Sequence, residues 1–315
     1  MSGPVEETGA TLGNLAALQI EVREGRPAEV GGMGIVRVLP TKGRRTIGQW
    51  CFVDLMSPED IAEPDPMEVG PHPHIGLSTV TWLFEGEALH TDSLGTEQVI
   101  RPGELNLMTA GHGIAHAELE VRPGSRDTTA EWVKGAQMWL AQPEATRHGP
   151  SAFRHHKDLP IAALDGAEAQ ILAGALGGER SPVHSDWPLV GAEVRFRGGV
   201  VNAEVDVSFE HAVIPIDRRV RVDGVIVEPG SLAILPAGFE SLRLETSSGD
   251  GRAMLLGGVP FPHRIQMWWN FVARSREELT AAWRDWSEHN DDRFGPVPSS
   301  LERIDAPTPI WVRES

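Results

Sequence analysis

The sequence predicts an all-β protein of two similar barrels with one helix near the C-terminus. Three observations carry this: strand-like runs are short and set off by turn residues, one segment recurs in the second half, and 315 residues exceed the needs of one small barrel. Ile35 to Leu39 stops at Pro40. Leu77 to Phe84 is rich in β-branched and aromatic residues and stops at Glu85-Gly86. Asp92-Ser93-Leu94-Gly95 and Arg101-Pro102-Gly103-Glu104 are further turns. Such spacing favours a sandwich or barrel over a parallel α/β sheet. The 34 glycines and 24 prolines are spread along the chain, as frequent turns require.

The repeat links Ile100 to Gly111 with Val227 to Gly238. Each reads as an apolar residue, a charge, a Pro-Gly turn, an alternating strand and then Ala-Gly. Alternation puts Leu105 and Leu107 on one face, matched by Leu232 and Ile234. A duplicated barrel is the simplest account. The boundary is expected in the polar, proline-containing stretch from Gln142-Pro143 to Pro150, giving domains 1–142 and 151–315. The helix is expected at about 275–289. Ser275 and Glu278 form a capping box. Leu279, Ala282, Trp283 and Trp286 follow as one apolar stripe, expected to pack on the second barrel.

Apolar residues make up 40% of the chain, enough for real cores. The formal net charge of −17 repels phosphate backbones and excludes direct nucleic-acid binding as the expected role. The basic runs Lys42-Gly43-Arg44-Arg45 and Arg218-Arg219-Val220-Arg221 are too small to reverse that and read as solvated loops or strand faces. The one cysteine, Cys51, has no internal partner for a disulfide and reads as a buried, inert thiol. Met1 to Leu15 lacks the pattern of a secretory leader, and no window is apolar enough to span a membrane. A soluble, cytoplasmic protein is expected.

The chemistry sits in two short runs. Pro71-His72-Pro73-His74 opens a strand, where residues i and i+2 share a face about 7 Å apart. Continuing that face gives Gly76, Ser78, Val80, Trp82 and Phe84, an apolar wall that suits a barrel interior; Trp82 and Phe84 read as core before they read as the lining of a slot for a flat substrate. The second run is Gly111-His112-Gly113-Ile114-Ala115-His116-Ala117-Glu118, in which His116 and Glu118 again share a face. Two such pairs on facing strands place three imidazoles and one carboxylate around a single divalent ion: Fe, Mn, Co, Ni, Cu or Zn. The second half has no H-x-H or H-x-E after residue 200, and His211 reads as structural.

From Pro71 through Glu118 the runs His72-Pro73-His74, Glu85-Gly86-Glu87, Asp92-Ser93-Leu94-Gly95, Pro102-Gly103-Glu104 and Met108 to Glu118 occur in an order and spacing that resemble the pirin family of the cupin superfamily. The resemblance implies two facing cupin β-barrels with metal only in the first. It implies His72, His74, His116 and Glu118 as ligands, usually around Fe2+. Two departures stand out: Ile75, Gly76, Leu77 and Ser78 stand where pirins commonly have Arg, Gly, an aromatic and Glu, and His112 stands where Arg is usual.

The resemblance further implies a quercetin 2,3-dioxygenase type of activity. A flavonol's 3-hydroxyl gives up a proton, dioxygen adds to the ring, and the ring opens with release of carbon monoxide. Glu118 is the candidate catalytic base. The alternative is a non-catalytic, metal- or redox-responsive regulator that binds a transcription factor or metabolic enzyme. The expected partner is thus a small aromatic substrate or a protein. An open, substrate-sized cavity beside the metal favours the enzyme; a sealed metal favours the regulator.

Overall fold

The computed structural model describes residues 19–56, 66–121, 132–246 and 249–313. Met1 to Leu15, expected to carry no leader, lie outside the described residues. The first half forms β1 Glu21–Glu24, β2 Arg26–Val30, β3 Met33–Leu39, β4 Trp50–Met56, β5 Glu68–His74, β6 Leu77–Glu85, β7 Ala88–Asp92, β8 Glu97–Ile100, β9 Leu105–Thr109, β10 Ile114–Glu120, β11 Lys134–Ala141 and β12 Ala152–His156. The second forms β13 Ile161–Leu164, β14 Ala167–Ala173, β15 Ala175–Leu176, β16 Glu179–Arg180, β17 Leu189–Arg197, β18 Val200–Glu204, β19 Glu210–Pro215, β20 Val220–Val222, β21 Val225–Val227, β22 Ser231–Leu235, β23 Ser241–Thr246, β24 Asp250–Gly258, β25 Gln266–Trp268 and β26 Phe271–Ala273. Among the described residues two helices follow, α1 Arg276–Ser287 and α2 Ile310–Arg313.

Each barrel is a seven-stranded sheet closed by a four-stranded one. The first runs β12-β9-β6-β11-β4-β3-β2 with β5-β10-β7-β8; the second runs β1-β22-β19-β24-β17-β14-β13 with β18-β23-β20-β21. This is the expected all-β bicupin. The pairing crosses the stretch 142–150: β1 joins the second sheet by pairing with β22, and β12 joins the first by pairing with β9. The long sheets pack face to face. Leu105 and Leu107 of β9 and Leu232 and Ile234 of β22 meet in that shared core with Trp50, Trp82 and Met254. The indole of Trp50 donates across the interface to the carbonyls of Val190 (3.1 Å) and Gly257 (3.2 Å), so the contact is hydrogen-bonded as well as apolar. Cys51 is buried and burial pushes its thiol up to about 12, as an inert core residue requires.

Helix α1 begins at the expected N-cap: the Ser275 hydroxyl accepts from the Glu278 amide at 3.2 Å. Glu278 reaches one residue further back than a capping box would, to the Arg274 amide at 2.8 Å, and also grips Arg147. The helix does not lie on the second barrel. Leu279, Ala282 and Trp286 pack with Phe271 and Phe294 on Ile75 and Ala115, over the end of the first barrel. The β25–β26 hairpin brings it there, through a parallel bridge between Phe271 and Ile75. This explains Ile75 in place of the usual Arg: the position is covered by aromatic side chains, where an unpaired guanidinium would be costly.

His211 of β19 is fully buried and neither ring nitrogen is hydrogen-bonded. Burial pushes its pKa down to about 4. An imidazole in the unfolded chain titrates near about 6.5, so between these values the unfolded state binds more protons, and stability falls as pH drops through that window. His211→Leu is expected to relieve up to about 3 kcal/mol of this acid destabilisation by pH 4. Urea midpoints of variant and wild type at pH 7 and near pH 4.5 measure it; an identical loss in both proteins would contradict the assignment.

Candidate metal centre

β10 lies between β5 and β7, and the register of these three strands builds the site. His116 is opposite His72 on one side and Asp92 on the other; Glu118 is opposite Val69 and His90. His116 and Glu118 are two apart on β10 and so share one face, while the register shift beside them places its extra residue on β5, between Val69 and His72. The ligand-type atoms of His72, His74 and His116 lie within 4.8 Å of one another, and all three rings are buried. His90, His116 and Glu118 form a second such group sharing His116. Glu118 therefore sits beside His116 rather than equidistant from all three imidazoles, but it lines the same cavity as His72 and His74.

The protonation pattern suits a cation. His72 Nδ1 faces the Gly70 carbonyl at 2.9 Å, and His74 Nδ1 faces the Asn270 carbonyl at 3.0 Å. A carbonyl only accepts, so these nitrogens carry the protons and the Nε2 lone pairs are left free. His74 Nε2 and His116 Nε2 point at each other at 3.0 Å. Burial pushes the pKa of His72 down to about 4, and burial followed by the neighbouring imidazoles holds His74 and His116 well below the usual range. The rings are thus neutral at pH 7, as ligands must be. Burial raises the pKa of Glu118; His90 and a hydrogen bond from Thr81 Oγ1 at 3.4 Å offset part of that. Facing lone pairs, neutral rings and a buried carboxylate make a His-His-His-Glu site that fits one divalent ion.

A cavity of about 380 Å³ opens onto His72, His74 and Glu118. Phe52 and Trp139 form one wall, stacked at 3.9 Å between ring centroids and 11° between planes. Met33, Met56 and Met67 line it as well, together with Trp269. Its cation, Arg37, is neutralised by Asp54 through bonds of 2.7 and 2.6 Å. Trp269 holds a left-handed backbone at φ 51, in the tight hairpin that presents the Asn270 carbonyl to His74. Such a conformation costs on the order of 1–3 kcal/mol in a residue other than glycine and persists where packing enforces it.

One sequence expectation holds and another changes. Trp82 and Phe84 take the core role rather than lining the cavity: Trp82 lies in the core between the barrels with the partly buried Phe84 packed against it, and the Trp82 indole donates to Glu193 Oε2 at 2.9 Å. Ser78 faces Thr109 rather than the metal centre, so the missing carboxylate there leaves the site untouched. The reason is Gly76, whose φ of 65 breaks the run and sends β6 into the other sheet. A Cβ at that position would come within 2.2 Å of the Val272 carbonyl oxygen. Two contributors were missed. His90 is buried against His116, and its signal was the inward spacing His90-x-Asp92 before the turn. Asn270 acts through its carbonyl, which no side-chain motif reports.

Residues 32–140 match the Pirin family profile and residues 196–294 match the Pirin C-terminal cupin domain. A Pseudomonas aeruginosa protein named "Putative quercetin 2,3-dioxygenase" is 43% identical over 290 residues, 91% of this chain and 89% of that protein. This chain belongs to the pirin family. A pirin-like protein of Caulobacter vibrioides is 36% identical, with 84% of this chain and 92% of that one aligned. The crystal structure of a quercetin 2,3-dioxygenase from Acinetobacter baumannii superposes on this pirin with a TM-score of 0.83 at 38% identity, covering 92% of this chain and 95% of that one. Among the described residues of this pirin, no helix is long and apolar enough to cross a membrane.

Proposed function

We propose that this pirin is a metal-dependent dioxygenase acting on a flavonol-like, quercetin-type aromatic substrate, with one Fe2+ held by His72, His74, His116 and Glu118. The observation that carries the reading is the cavity of about 380 Å³ beside the imidazoles, walled by the stacked Phe52 and Trp139. It falls within the range of small-molecule sites, about 300–1,000 Å³, and flat aromatic walls suit a flat aromatic ligand. A sealed centre would have favoured a regulator. Among the described residues that line the cavity, the one guanidinium, Arg37, is neutralised by Asp54, so none of them asks for an anionic substrate.

A divalent ion bound here supplies a Lewis acid that acidifies a substrate hydroxyl. Glu118 is the base: it is buried, faces the cavity, and would take the proton as its hold on the ion loosens when substrate arrives. Glu118→Gln is expected to keep part of the metal and to lower turnover by about 10²- to 10⁴-fold; undiminished turnover would remove the base role. The test of the whole reading is oxygen uptake by iron-loaded protein with quercetin against a metal-free control. Metal-dependent uptake with loss of flavonol absorbance is expected. No uptake with iron bound would overturn the enzyme reading in favour of the regulator.

A further inference from the structure

We infer that His90 and Asp92 form a positioning relay behind the metal centre: Asp92 fixes the tautomer of His90, and His90 holds the His116 ring with its Nε2 lone pair turned toward the metal. The inference rests on the reading that the histidine cluster binds a metal. His72 and His74 are each oriented by a main-chain carbonyl on Nδ1. The ring of His116 meets another imidazole instead: its Nδ1 faces His90 Nδ1 at 3.4 Å. For His116 Nε2 to be a ligand, its proton must sit on Nδ1, and His90 Nδ1 must then accept it. His90 consequently carries its own proton on Nε2, and that nitrogen lies 3.2 Å from Asp92 Oδ2. A carboxylate only accepts, so it selects this tautomer and no other.

The relay is held rigidly. Asp92 is fully buried, and its second oxygen accepts from the Leu94 and Thr96 amides at 2.9 and 3.0 Å. The His90 ring stacks on Phe153 with centroids 4.6 Å apart and planes 23° apart. The relay sits on β7, whose Asp92 is in register with His116 of β10.

Cobalt(II) titration of the purified full chain tests it, using His90→Leu, His90→Gln and Asp92→Asn. His90→Leu leaves the His116 Nδ1 proton without an acceptor. Asp92→Asn keeps the turn, because the amide oxygen still accepts from Leu94 and Thr96, but offers His90 Nε2 a donor where it had an acceptor. Both are expected to weaken cobalt binding about 10- to 100-fold at unchanged stoichiometry and to shift the cobalt d–d absorption. In His90→Gln the amide oxygen can accept from His116, so most of the affinity and the wild-type spectrum should return, a rescue that a packing role would not give. Tight binding with an unchanged spectrum in folded His90→Leu would overturn the relay. So would loss of one imidazole ligand in His90→Gln by X-ray absorption, which would make His90 a ligand. A wild-type chain that takes up no cobalt would sink the relay and the metal reading together; wild-type binding indifferent to changes at His90 and Asp92 would sink the relay alone.

Discussion

His74→Ala is expected to strip the protein of metal. Structural four-ligand zinc sites are worth about 10–16 kcal/mol at pH 7, or about 2.5–4 kcal/mol per ligand, so losing one imidazole should weaken binding by about two to three powers of ten. His74 is central to the cluster: its Nε2 is 3.0 Å from His116 Nε2, and its ring is edge-on to Trp139 at the cavity wall. The substitution also leaves the Asn270 carbonyl without its donor. Metal content by mass spectrometry after dialysis is the measurement. His155→Ala is the control, since that ring lies outside the cluster and bonds Asn106 at 2.7 Å; it should keep the metal. A second readout is the stability gained on loading, about 2.7 kcal/mol at a free metal concentration 100 times Kd, which should vanish in His74→Ala. Full stoichiometry in that variant would remove His74 from the ligand set.

What the sequence made legible about the site was local, and what it hid was not. The period of two along a strand puts His72 with His74 and His116 with Glu118, and the structure has both pairs facing the same cavity or sharing one cluster. The same period failed two residues after His74, because Gly76 adopts a backbone that ends the alternation. No periodicity reveals such a break; a glycine inside an apparent strand is its only trace. The α1 stripe announced a buried face without naming the surface it meets, and that surface lies on the first barrel because the β25–β26 hairpin returns there. His90 and the Asn270 carbonyl join the site through pairings distant in sequence, which spacing within one run cannot encode. The exchange of β1 and β12 between barrels is of the same kind.

Trp82→Ala is expected to destabilise the fold by about 3–5 kcal/mol, the range for deleting a buried tryptophan side chain. Trp82 is fully buried between the long sheets, so a cavity there weakens the contact joining the barrels rather than one barrel alone. Its indole also supplies one of the hydrogen bonds to Glu193, a fully buried carboxylate further held by Arg195 through bonds of 2.8 and 3.0 Å. Trp82→Phe separates the two contributions. It keeps most of the ring and deletes only the donor, and because Arg195 still satisfies the carboxylate the cost should stay near about 1 kcal/mol. Urea unfolding of the two variants measures both values. Metal content should match wild type in Trp82→Phe, since β6 presents this residue away from the histidines. The opposite pattern, wild-type stability in Trp82→Ala with a raised KM for quercetin, would return Trp82 to the wall of the substrate cavity. The Glu193 contact argues against that outcome: an indole that donates to a buried carboxylate of the second barrel is fixed in the interface and has no freedom to face a ligand in the first.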